Sequence, residues 1–208
     1  MIKLIERKHI LPVSAILIMF ISLLLFVLPP EKNLGKVIRV VYIHAVLVQT
    51  GLLLFSAAGL IGLLSLFRKS DHTHALLLAM QKTGLLIWSI YLVSSAVVTR
   101  LAWGIWVAWE EPRVVAGICI WLTALLFFAL VLWIGNDQFS ALANLALAII
   151  AVWLTKTSGT IRHPLDPIGE SNSLLLKMIF SLLFFIVLVL AVQCIRLFLK
   201  PENRESFL

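Results

Sequence analysis

Residues 11–29 read LPVSAILIMFISLLLFVLP, a run without one charged side chain that follows Lys3, Arg7 and Lys8. A helix needs about 20 predominantly apolar residues to cross the roughly 30 Å hydrocarbon core of a bilayer, and this run is long enough. The basic lead-in has the look of a signal peptide, but the run closes on Leu28-Pro29-Pro30-Glu31 with no small-x-small cleavage pattern, so it is expected to remain as an anchor. Five further apolar runs follow at about 40–67, 75–99, 114–135, 139–155 and 174–199. The whole chain of 208 residues is 62% hydrophobic and only 13% charged. Its mean hydropathy of +1.07 lies far from that of soluble globular domains. Backbone groups cannot go unpaired in hydrocarbon, and the runs lack the period-2 alternation of barrel strands. The expected architecture is therefore an all-α integral membrane protein, a bundle of six transmembrane helices forming a single membrane domain over residues 1–208.

No internal repeat, low-complexity tract or long linker leaves room for an ATP-binding or other catalytic module, so any energy source is expected on another chain. The net charge of +7 is scattered over membrane-flanking loops, which favours lipid headgroups over nucleic acid as its partner. Lysines and arginines balance between the two sides, and orientation rests on the N-terminal cluster, giving both termini inside (N-in/C-in). Cys119 and Cys194 fall within the fourth and sixth spans with no Cys-x-x-Cys, and they read as small apolar filler.

With six spans, the connections 1–2, 3–4 and 5–6 share one side of the membrane. The second of these carries the most unusual stretch of the chain, Arg100-Leu-Ala-Trp103-Gly-Ile-Trp106-Val-Ala-Trp109-Glu-Glu-Pro-Arg113. In a helical turn this spacing sets Trp103, Trp106 and Trp109 along one broad face, a stacking surface, with Arg100 and Arg113 placed to hold carboxylates at its edges. His44 lies about one turn into the second span at the end facing the first, and His163 lies in the fifth connection within Gly159-Thr-Ile-Arg162-His163-Pro164. Both face the same leaflet as the tryptophans. A neutral imidazole can ligate haem iron, and two from separate elements can fill both axial positions. His9, His72 and His74 lie at the opposite surface and are left out of this site.

The chain resembles the integral membrane haem-handling proteins of cytochrome c assembly, especially the cytochrome c maturation protein C (CcmC) family, haem exporter proteins with a tryptophan-rich motif. The resemblance covers nearly the whole chain. Tyr42-Ile43-His44 matches a Tyr-x-His at the outer end of the second helix, Trp103 to Arg113 matches the tryptophan-rich stretch, and His163 occupies the place of a second histidine before the last helix. Val107 stands where the family has a tryptophan, Glu110-Glu111 replaces a single Asp, and one extra residue precedes Arg113 and another precedes His163. The resemblance implies a non-enzymatic protein of the inner (plasma) membrane that holds haem b non-covalently at the periplasmic face. His44 and His163 would be its axial iron ligands, above a floor of Trp103, Trp106 and Trp109, with Arg100, Arg113 or Arg162 on the propionates. Delivery to a periplasmic haem chaperone is implied, with ABC-type export subunits (ATPase and permease) and a small membrane subunit as further partners.

Two other classes fit the same sequence less well. A b-type cytochrome moving electrons across the membrane would take histidines from mid-membrane depth, which the chain lacks, and a haem-free permease or scaffold subunit would leave the tryptophans as an interfacial belt. Elsewhere the plain readings hold: Glu110 and Glu111 as solvated loop acids, Lys82 as a snorkelling side chain, and Gln49, Asn144 and Gln193 as hydrogen-bonding stitches between helices. Ser56, Ala57, Ala58 and Gly59 are expected to let the second helix pack closely.

Overall fold

A computed structural model describes residues 7–30, 34–67, 71–162 and 173–199, and every regular helix or strand element among them is helical. After a 3-10 turn at Arg7–His9 come α1 (Ile10–Val27), α2 (Ile38–Ser65), α3 (Asp71–Trp103), α4 (Pro112–Ile134), α5 (Asp137–Thr157) and α6 (Leu174–Phe198). Each is long and apolar enough to cross a membrane, and the chain is a multi-pass membrane protein. The six spans expected from the sequence correspond one to one with these helices. The largest difference is at α3, which starts four residues before position 75 and ends four beyond position 99.

Local chemistry explains the breaks. Pro112 opens α4 at a position where its missing N–H costs nothing, and Gly135 closes that helix in the left-handed conformation, φ 62°. Asn136 then caps α5 by accepting the Phe139 N–H at 3.0 Å, so α4 and α5 are joined by two residues and must run antiparallel side by side. Ser173 caps α6 in the same way, accepting from Leu176 at 3.4 Å.

The centre of the bundle is α2, which packs most extensively on α5 and α3. Close approach depends on small residues, as expected at Gly59, where a Cβ would collide with Ala148, and also at Gly62, where one would sit 2.6 Å from the Ala141 carbonyl oxygen. The expected stitches take other forms. Asn144 donates to the Ser140 carbonyl within α5, Gln193 accepts from Arg196 within α6, and Gln49 is exposed on α2. Indoles make the interhelical bonds instead, with Trp88 of α3 donating to the Gly117 carbonyl of α4 and Trp121 of α4 donating to Ser89 of α3, both at 2.9 Å. Lys82 is half-buried, its ammonium 6.0 Å from the centroid of the Phe198 ring at the end of α6. Cys194 is half-buried, but Cys119 is exposed on α4, so it is not core filler. At the rim, α1 packs mainly on α6 and is buried over only 6% of its apolar window, against 50% for α2.

The helices α3 and α5 are level at one end and unequal at the other. His74 near the start of α3 pairs with Asp137, the first residue of α5, at 3.1 Å, which aligns the two helices at that end. From there α5 runs 20 residues to Thr157 and α3 runs 29 residues to Trp103. The 9-residue surplus, about 13 Å at 1.5 Å per residue, emerges entirely at the other end. His9 and His72 also sit near helix starts at the His74 end, away from Trp103.

Candidate functional site at the tryptophan end

The tryptophan segment is not one helical turn. Trp103 is the last residue of α3, Gly104 takes φ 77°, and residues 104–111 run irregularly to Pro112. Only glycine adopts that backbone without strain, so the chain turns there and folds back down beside α3. The return is fastened by Thr99, whose hydroxyl donates to the Trp106 carbonyl at 2.7 Å. Arg100 donates to the Gly104 carbonyl and lies 5.8 Å from the centroid of the Trp106 ring.

The three indoles consequently face different surroundings. Trp103 is half-buried beneath Arg162, whose guanidinium carbon is 5.7 Å from its ring centroid. Trp106 and Trp109 are 60% and 66% exposed. Trp109 borders an open groove of about 400 Å³ between α4 and α5, together with Pro112, Val115, Cys119, Leu154 and Thr157. The indoles are gathered at one end of the bundle rather than aligned in a single stripe.

His44 sits lower, with its ring centroid 4.9 Å from that of Tyr91 and its Nδ1 3.4 Å from the Ser94 hydroxyl. Tyr91 meets Trp88 at 4.9 Å, and Trp88 meets Phe55 at 5.5 Å, so His44 caps an aromatic column running into the core. The Tyr91 hydroxyl also lies against Gly117, where an added Cβ would come within 2.7 Å. Arg113, half-buried in the first turn of α4, lies about one turn before Gly117 and so just above the His44 layer, because the loop has brought α4 down to start about two turns below Trp103. By the alignment of α3 with α5, this layer lies level with the end of α5.

The expectation of solvated loop acids holds for Glu110, which is exposed, and fails for Glu111. Glu110 forms an ion pair with Arg162 at 2.7 Å, and both side chains are partly exposed. Glu111 is fully buried: its carboxylate accepts the Arg162 N–H at 2.8 Å and the Ile161 N–H at 3.3 Å from each oxygen. Although it precedes Pro112 at the head of α4, its side chain makes no cap to its own helix. It instead ties the connection before α6 to the tryptophan segment. His163 lies outside the described residues, but the chain is fixed at the position immediately before it. Parity of the spans places these connections on one side but does not reveal the direct bond between them, for which the only hint in the sequence is an acidic pair facing a lone arginine on a same-side loop.

Among the described residues no group of three or more His, Cys, Asp or Glu side chains is arranged to hold a bare metal ion. What the tryptophan segment, His44 and the connection before α6 offer among the described residues is one imidazole, two exposed indoles, a third beneath a guanidinium, and the arginines Arg100, Arg113 and Arg162. This donor set fits a flat, apolar, carboxylate-bearing ligand: an imidazole for a metal centre, rings for the face, guanidiniums for the acids.

The chain matches no protein-family model and no curated protein.

Proposed function

We propose that this protein is a haem-handling membrane protein that binds haem b non-covalently at the outer face of the inner (plasma) membrane and delivers it to a periplasmic haem chaperone during cytochrome c maturation. The observation that carries the reading is the convergence, at one end of six helices, of His44, the tryptophan segment and the connection leading to His163. The first two are held by α2 and α3, and the third is tied to them through Glu111. His44 and His163 supply the axial ligands in this reading. The Ser94 hydroxyl engages Nδ1 of His44, and Nε2 is the atom assigned to the iron. Trp103, Trp106 and Trp109 provide apolar faces, and the propionates are met by guanidiniums from the set Arg100, Arg113 and Arg162 at the membrane boundary, where charge costs least.

The orientation proposed is N-in/C-in, with the tryptophan end outside. Haem is cargo and the protein transforms nothing; export energy comes from ABC-type ATPase and permease subunits, with a small membrane subunit alongside. The test is the absorption spectrum of the detergent-purified protein loaded with haem, for wild type beside His44→Ala and His163→Ala. A six-coordinate bis-histidine spectrum in the wild type, lost in both variants, is expected. Undiminished haem binding in both variants overturns the ligand assignment. A wild type that takes up no haem under repeated loading favours the haem-free scaffold.

A further inference from the structure

The two acids of the tryptophan segment hold one arginine in two different ways. Glu111, fully buried, fixes the backbone of Ile161 and Arg162 through their N–H groups. Glu110, exposed, engages only the Arg162 guanidinium among the described residues, and the two side chains are 45% and 43% exposed. An ion pair this open is worth little, because water and salt compete for both partners, so it exchanges readily. The guanidinium it engages is held over the Trp103 ring and presents a fork that matches a carboxylate. The other two arginines differ. Arg100 is turned onto the Gly104 carbonyl, and Arg113 lies lower, about one turn before the Gly117 that packs on Tyr91.

We propose that Arg162 is the carboxylate-receiving group of the tryptophan face and that Glu110 is its exchangeable internal occupant, displaced when a ligand carboxylate arrives. This rests on the haem reading and gives it a direction: the ligand docks with a propionate above Trp103, on the arm that Glu111 holds in place. Glu110 then keeps the empty site neutral and lowers affinity for any acid that does not also gain contact with the indoles.

The experiment uses the full chain in lipid nanodiscs, titrated with iron protoporphyrin IX and with its dimethyl ester, which has no free carboxylate, against protein-free discs. Arg162→Gln is expected to weaken binding of the free acid about tenfold, the scale of one charge-assisted hydrogen bond, and to leave the ester unchanged. Glu110→Gln is expected to tighten the free acid up to about fivefold, and the double variant to match Arg162→Gln alone. The ester serves as the folding control within each variant. Equal weakening of both porphyrins by Arg162→Gln, no effect on either, or a Glu110→Gln affinity that stays level or falls overturns the inference while leaving haem binding intact. A wild type that binds neither porphyrin overturns the haem reading and this inference together.

Discussion

Gly117 is a single residue on which three side chains depend. Its carbonyl accepts the Trp88 indole N–H, its missing side chain makes room for the Tyr91 hydroxyl, and Tyr91 in turn supports the His44 ring. Two substitutions separate these roles. Trp88→Phe removes one interhelical hydrogen bond, worth about 0.6 kcal/mol on the average for bonds between membrane helices, and keeps most of the ring. Gly117→Val forces side-chain atoms into the Tyr91 hydroxyl, and overpacking of this kind costs about 1–3 kcal/mol. Thermal unfolding in detergent should therefore show the larger loss for Gly117→Val, and under the proposed haem reading haem uptake should fall with it because the His44 ring loses its support. A Trp88→Phe loss equal to or larger than that of Gly117→Val would show that the bond matters more than the space.

At the scale of elements, the junction between the third and fifth connections is the feature that separates this end from a simple aromatic belt. Glu111→Ala leaves the Ile161 and Arg162 N–H groups without their acceptor, and the segment is expected to swing into water, where those groups find partners. Limited proteolysis of the protein in nanodiscs should show new cleavage near residues 158–162 in Glu111→Ala and an intermediate rate in Glu111→Gln, which keeps one carboxamide oxygen. Equal resistance in all three proteins would mean that the connection is held by other contacts. The same junction marks the limit of what sequence conveys. Helix positions were legible because apolar runs of spanning length have few other uses, and the small residues of α2 were legible because close packing in lipid demands them. The length of α3 was not, because Asp71, His72, His74 and Arg100 read as the ends of a span, whereas a helix need not stop where hydrocarbon stops. The burial of Glu111 was illegible for a different reason: its partners lie 50 and 51 residues away, and nothing local separates an acid that faces water from one that faces a distant backbone.

For the whole molecule, six crossings make a definite statement about sides. In a background with Cys119 and Cys194 replaced by serine, single cysteines at Lys36, Ile105 and Gly159 should react with an impermeant thiol reagent from one side and a cysteine at Gln138 only from the other. The proposed orientation makes the first three periplasmic, and labelling of Gln138 from that side would reverse it. The unequal reach of the helices has a further consequence. At 21 residues α5 is about 31 Å long, matched to a typical hydrocarbon core, whereas α3 at 33 residues is about 50 Å. In a bilayer whose core matches α5, the His44 layer, level with where α5 stops, falls at the boundary, and Trp103 stands about 13 Å beyond it on the surplus of α3. Lipid chain length therefore acts unevenly here: a bilayer thicker by a few Å draws the imidazole under while the upper indole and its arginine remain outside, so hydrophobic mismatch adjusts the exposure of one half of this end and spares the other.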